Sequence, residues 1–271
     1  MKRLASTSTV VWDAEEYHNL SFAQNSAAKY LIQQLKIKTT DSILDVGCGN
    51  GKISAKLAEI ANEGKVVGID KSKEMIAFSA ENVEKDAYPN LRFKLQDANK
   101  VSFRKQFNVI FSSFALQWIQ DKNKFFQKSY NSLKQDGTLA LIVPTGVSPE
   151  LELSVSRTIN DPKWKGYFQD FHPNWYFCDG KSIRHLITEN SFRVTYFEEM
   201  TQEVTFPSRD AFERYVLLWF PYLRPLPKDL RKEFFQEVLE RYFTLLPIDS
   251  TGTVLLRIPR VDIIAKKSLF N

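Results

Sequence analysis

Leu44-Asp45-Val46-Gly47-Cys48-Gly49-Asn50-Gly51 is the stretch on which the reading of this chain turns. The apolar run from Ser42 to Val46 reads as a buried strand, and three alternating glycines follow it. Glycine turns the chain sharply and brings backbone close to a ligand with no Cβ in the way. Ile53, Leu57 and Ile60 then recur at the spacing of one helix face. A helix starting near Gly51 presents free N–H groups and the positive end of its dipole to the space the glycines leave open. Such a turn suits a carboxylate, a phosphate or another polar edge.

The alternation continues outward. Residues 65–70, 91–95, 107–111 and 138–143 read as further strands. Helical spacing lies between them at Ile76, Ala80 and Val83 and at Phe126, Tyr130 and Leu133. Strand and helix in turn predict an α/β fold, a doubly wound, mostly parallel sheet of seven strands with its ligand at the C-terminal strand ends. After Pro144 the pattern changes. Residues 161–178 gather Trp164, Tyr167, Phe168, Phe171, Trp175, Tyr176 and Phe177 among charged residues. A second aromatic-rich helical stretch, 208–246, is broken by Pro221, Pro225 and Pro227. Strand character returns at 193–197, 253–257 and 261–264.

Bulk properties exclude several classes. Lys and Arg number 37 and Asp and Glu 32, a net charge of +5 with no concentrated basic stripe, so nucleic acid is not the expected partner. Cys48 and Cys178 make neither a disulfide framework nor a zinc spacing, and no metal is expected. Met1-Lys2-Arg3 is followed by polar residues, which reads as no signal peptide. No apolar run approaches the ~18 residues of a membrane span. A reducing cytoplasm is the expected compartment.

Asp70 ends the second strand, where a carboxylate accepts from both hydroxyls of a ribose; the alternative role is that of a helix-capping Asp. The glycines at 47, 49 and 51 do not give the G-x-G-x-x-G spacing that makes room for a pyrophosphate, which disfavours a nicotinamide oxidoreductase. At these residues the chain resembles the class I S-adenosylmethionine-dependent methyltransferases. The string 44–51 is similar to that family's first motif and Val67-Gly68-Ile69-Asp70-Lys71-Ser72-Lys73-Glu74-Met75 to its second. Gln96-Asp97-Ala98 and residues 107–118 match later ones, with Asn108 where Asp is usual.

The resemblance implies a Rossmann-like domain over 1–271. It divides into an N-terminal helical cover (1–40), a cofactor-binding core (41–145) and two substrate-lid insertions (146–192 and 208–250). It implies S-adenosylmethionine as cofactor and assigns roles by position. Asp45 orients the turn and approaches the cofactor's amino group. Gly47, Cys48 and Gly49 line the methionine moiety, and Tyr17 closes over its tail. Asp70 holds the ribose, Lys71 and Met75 flank the adenine, Asp97 and Ala98 bind its edge, and Ser113 faces the sulfonium. Cys48 has a plainer alternative, a small side chain in a tight turn.

Ser113-Phe114-Ala115-Leu116-Gln117-Trp118 further resembles the branch of trans-aconitate, malonyl-carrier-protein and juvenile-hormone-acid O-methyltransferases. That implies carboxylate O-methylation of a small or acyl-chain acid, with Gln24 and Trp118 as donors to the carboxylate and no general base. Trp164, Trp175 and Trp219 are candidates to line the acceptor site. Core packing is the alternative for each tryptophan, and an exposed helix position for Gln24. Another small-molecule or nucleic-acid acceptor, or a non-catalytic cofactor-binding protein, are the remaining alternatives.

Overall fold

The computed structural model describes residues 13–84 and 86–268. The basic start of the chain and residues 1–12 of the expected cover lie outside them. Two helices come first, α1 (Ala14–Leu20) and α2 (Phe22–Gln34). The core then runs β1 (Ser42–Val46), α3 (Lys52–Ile60), β2 (Lys65–Asp70), α4 (Lys73–Asn82), β3 (Leu91–Leu95), β4 (Phe107–Ser113), α5 (Lys122–Ser132) and β5 (Leu133–Pro144). After it come α6 (Pro149–Ile159), α7 (Gly180–Glu189), β6 (Phe192–Phe206), α8 (Arg209–Leu217), α9 (Arg231–Leu245) and β7 (Val254–Lys267).

The seven strands form one sheet in the order β3-β2-β1-β4-β5-β7-β6. Every pair from β3 to β5 is parallel, and β7 runs antiparallel to both β5 and β6. The parallel strands are buried because helices cover both faces. Ala27, Ala28 and Leu31 of α2 and Leu57 and Ala58 of α3 pack on one face. Phe125 and Phe126 of α5 and Ile183 and Ile187 of α7 pack on the other. Leu133, which extends the helical spacing of Phe126 and Tyr130, is instead the first residue of β5 and pairs with Phe107. The turn signal Asp136-Gly137 falls inside that strand, with Asp136 at φ +58.

Strand order reverses between β1 and β4, the switch point at which such sheets open a crevice. The second feature of the architecture is a ribbon. β6 and β7 pair from Phe192↔Lys267 to Phe206↔Val254 with one bulge, at Thr195 between Val194 and Tyr196, but β5 accompanies β7 only as far as Arg260. The remainder projects beyond the sheet and packs with α6, α8 and α9 around a core of its own. Leu151, Phe212, Tyr215, Phe234, Val238, Tyr242 and Leu256 are buried there. This cap stands over the C-terminal strand ends. Its helices are well specified locally. Ser148 precedes Pro149 at the first position of α6, and the side chain of Ser208 accepts the Ala211 N–H to start α8.

Candidate active site

The glycine turn is built by backbone geometry. Gly47, Gly49 and Gly51 have φ of +75, +52 and +82, a region that side chains rarely tolerate. A Cβ on Gly47 would also meet the Cβ of Ala115 at 2.4 Å, because the β4 connection passes directly over the turn. The N–H groups of Gly47 and Cys48 both reach the Ile69 carbonyl, at 2.8 and 3.0 Å, tying the turn to the end of β2. Asp70 completes the tie. Its Oδ2 accepts the Gly49 N–H at 3.1 Å and its Oδ1 the Ser72 N–H at 2.8 Å. Burial raises the Asp70 carboxyl above its ordinary value, and these backbone donors oppose the rise. Ser72 then caps α4 by accepting the Met75 N–H, and Gln96 N–H reaches the Asp70 carbonyl at 2.8 Å.

These connections leave a cleft of about 550 Å³ at the ends of β1, β2, β3 and β4. Of the residues named from the sequence, Tyr17, Gly47, Gly49, Asp70, Lys71, Met75, Asp97, Ala98, Ser113 and Trp118 line it together. Two of its polar atoms are buried without a partner, Ser113 Oγ and Asn99 Oδ1. Asp45 and Cys48 are not on its wall. Asp45 lies behind the turn, 2% exposed, and its Oδ2 accepts the Ser54 hydroxyl at 2.6 Å, fastening the start of α3 to β1. Burial drives its pKa up to about 7. Cys48 is also buried, and its thiol is raised well above the ordinary value by desolvation and by Asp45 and Asp70, so it rests as a thiol.

A smaller chamber of about 80 Å³ opens beside the cleft, under the cap. Tyr17, Phe114 and Trp118 line both spaces and so form the wall between them. The chamber's other surfaces include Gln24 from α2, Gln117, Trp175, Tyr215 and Trp219. Among the described residues, none that lines it carries a charge. Trp118 and Trp175 meet edge-on at 6.4 Å, Trp175 and Trp219 lie at 5.9 Å, and Tyr215 stands edge-on to Trp219 at 6.1 Å. Gln24 Nε2 donates to the Tyr215 hydroxyl at 3.2 Å, linking the N-terminal cover to the cap. Tyr17 and Tyr215 are both raised by burial, Tyr215 to about 12, and stay protonated donors.

Trp164 is not brought to this chamber. It is 1% exposed in the cap core, edge-on to Phe234, with its indole N–H on Glu237 at 2.6 Å. Its large apolar area is used to close the cap on itself, so the packing alternative holds for that ring. Phe114, Gln117 and Tyr215 are among the chamber residues that carry no role in the sequence reading. Phe114 sits at φ +53, an uncommon conformation for an aromatic residue. Gln117 belongs to the same motif as Trp118, and Tyr215 lies one helical turn before Trp219. Among the described residues, no helix is long and apolar enough to cross a membrane.

A seven-stranded sheet of this order, with a glycine cradle and a distal carboxylate at its switch point, defines a class I methyltransferase. Residues 37–166 match the family model described as a methyltransferase domain, and the chain is an S-adenosylmethionine-dependent methyltransferase. It is 25% identical over 240 residues to 235L of Invertebrate iridescent virus 6, a protein whose name assigns it as a methyltransferase, covering 89% of this chain and 88% of that one. It is 25% identical over 267 residues to the trans-aconitate 2-methyltransferase of Escherichia coli O157:H7, covering 95% and 98%. Among solved structures, phosphoethanolamine N-methyltransferase 2 of Haemonchus contortus, determined with phosphomonomethylethanolamine and S-adenosylhomocysteine, superimposes with a TM-score of 0.59 at 17% identity. That match covers 97% of this chain and 58% of the other. The cleft suits the cofactor on its own terms: a glycine cradle at Gly47 and Gly49, a half-buried carboxylate at Asp70, and orphaned polar atoms at Ser113 and Asn99.

Proposed function

We propose that this enzyme O-methylates the carboxylate of an acid with an apolar body, a monoacid of the acyl-chain kind. The observation that carries the reading is the uncharged, aromatic chamber sharing Tyr17, Phe114 and Trp118 with the cofactor cleft. When bound, S-adenosylmethionine supplies a methyl group on a sulfonium; the acceptor oxygen bonds to that carbon as the carbon–sulfur bond breaks and its electron pair stays on sulfur. A carboxylate is already ionised at neutral pH and requires no base. The chamber lining offers none: it contains no His, Lys, Asp or Glu, and its tyrosines stay protonated. What it offers are neutral donors. The Trp118 indole, the Tyr215 hydroxyl and the Gln24 amide are of the types that hold one carboxylate. Turned end for end, Gln24 would accept from Tyr215 and present its NH₂ group to the acceptor.

On the cofactor side, Asp70 holds the ribose, Lys71 and Met75 flank the adenine, and Asp97 and Ala98 take its edge. Gly47 and Gly49 admit the methionine moiety, with Tyr17 over it and Ser113 facing the sulfonium. Asp45 and Cys48 shape the turn from behind. The cover before residue 41 and the cap segments within 146–192 and 208–250 supply the acceptor side, while α7 belongs with the sheet. Catalysis is by proximity and orientation, effects worth ~7–11 kcal/mol. Among the described residues the chamber has no cation, which separates this acceptor from a tricarboxylate such as the one for which the Escherichia coli relative is named. Free Cys48 and Cys178 suit a reducing, cytoplasmic setting.

The test is incubation with methyl-labelled cofactor and a panel of medium- and long-chain monoacids, trans-aconitate, phenols, amines and RNA, read by mass spectrometry. A methyl ester on monoacids, with trans-aconitate at least about tenfold poorer for want of a paired cation, is the expected result. Methyl ethers, N-methyl products, labelled RNA or no transfer at all would sink the reading.

A further inference from the structure

Resting on the acid reading above, we infer that the natural acceptor carries a hydrogen-bond donor besides its carboxylate, a hydroxyl or an amide N–H, and that Gln117 receives it. Gln117 is 8% exposed and lines the acceptor chamber. Its amide is fixed in one orientation, because Nε2 donates to the Phe114 carbonyl at 2.7 Å. Its backbone is fixed as well, since its own carbonyl accepts the Tyr176 N–H at 2.8 Å. Phe114 in turn occupies a left-handed conformation, so the carbonyl that orients the amide is itself held by the surrounding fold.

One atom is left over. Gln117 Oε1 is buried and accepts from nothing among the described residues. Turning the amide over would not remedy this, because it would set Oε1 against the Phe114 carbonyl and leave Oε1, that carbonyl and Nε2 all unpaired. The other amide of the chamber, Gln24, donates from Nε2 to Tyr215 and also leaves its Oε1 buried without a partner, but there turning the amide over lets Oε1 accept the Tyr215 hydroxyl. A buried carbonyl without a donor is costly, and native structures carry few of them. In a substrate chamber the missing donor belongs to the substrate. A plain fatty acid has none to give once its carboxylate is ionised. A hydroxy acid or an N-acyl amino acid has one. A site built around such a bond rejects the analogue that lacks it, because the orphan then stays buried beneath the ligand.

The test is calorimetric binding to the protein loaded with S-adenosylhomocysteine, which requires no turnover. The ligands are dodecanoic acid, its α- and β-hydroxy counterparts, their O-methyl ethers, and an N-acylglycine of matched length. At least one donor-bearing acid is expected to bind about tenfold or more tightly than the plain acid, and its methyl ether to lose that advantage. In Gln117→Leu and Gln117→Met the ratio should fall to within about twofold. Equal binding across the series by the unaltered protein, or a preference that survives both substitutions, overturns the assignment to Gln117. The ether series is read on the unaltered protein, so a poorly folding variant does not blunt the test. The site of methylation is followed separately. An ether in place of an ester overturns carboxylate transfer while the binding ratio still judges Gln117, and failure of every acid to bind overturns both.

Discussion

Asp45 shows how a single buried carboxyl ties chemistry to stability. It sits behind the glycine turn with one hydroxyl for company, and its pKa is pushed to about 7 by burial. In the unfolded chain it titrates near the ordinary ~3.9. Between those two values the folded protein holds a proton that the unfolded chain has released. Its contribution to stability is therefore fully present below the unfolded pKa and is lost as pH rises from about 4 through about 7. Asp45→Asn keeps the shape and an acceptor for Ser54 but does not titrate. Urea midpoints measured at pH 5 and pH 8 should fall less for the variant than for the unaltered protein over that interval. Equal falls would show that Asp45 does not carry the effect. At this same scale the sequence was unevenly legible. The glycines and Asp70 announce themselves because their roles are backbone conformation and a fixed spacing, both local. Gln24 and Tyr215 pair across 191 residues, and the orphaned end of Gln117 depends on what the cap places around it. No pattern near those residues encodes either fact.

Among the elements, the segment that carries Trp175 is held by an unusual fastener. Lys122, the first residue of α5, is 8% exposed, and its ammonium donates to the Ile119 carbonyl at 3.0 Å and to that of Tyr176. Burial lowers its pKa. The charge is spent on two backbone carbonyls that keep Trp175 against Trp118. Lys122→Met should cost about 1.5–3 kcal/mol of stability, the range for hydrogen bonds to a charged group. It should also weaken acceptor binding several-fold while leaving affinity for S-adenosylhomocysteine within about twofold, since Lys122 does not itself line the cleft and meets its wall at the backbone carbonyl of Ile119. Unchanged acceptor binding would show that the clip does not position Trp175. Element boundaries were readable where one pattern persisted. The parallel strands are continuous apolar runs, and their helices are amphipathic. β6 is the sheet's edge, and beyond Phe197 it alternates polar residues such as Glu199 and Glu203 with half-buried ones, so only 193–197 reads as strand. β7 reads as two pieces because Pro259 interrupts it. That proline lies just past the last pairing with β5, where an edge position tolerates a missing N–H.

For the whole molecule, cofactor binding and fold are one equilibrium. S-adenosylhomocysteine at about 100 times its Kd should stabilise the protein by ~2.7 kcal/mol, on the order of 5–10 °C in Tm, whereas NAD should give no shift. Asp70→Ala should shrink the shift, judged against its own ligand-free Tm, because Asp70 also supports the Gly49 and Ser72 backbone. A full shift in that variant would remove Asp70 from the cofactor's partners. The composition and alternation of the first half made this architecture legible from the outset. The cap was legible only as an excess of aromatic residues. Whether a ring faces a chamber, as Trp175 does, or its own core, as Trp164 does, is decided by partners such as Glu237 and Phe234 that lie far along the chain.

The ribbon of β6 and β7 bears on how molecules enter and leave. β6 runs from the sheet into the cap and β7 runs back, and the pairing is continuous across the junction, its one bulge lying within the sheet at Thr195, so no swivel separates the two bodies. A cap attached in this way cannot swing aside as a door does. Movement would then have to come from smaller pieces of the wall, and the short strip from Asn174 to Cys178, clipped at Gln117 and Lys122, is one whose lifting would pace turnover.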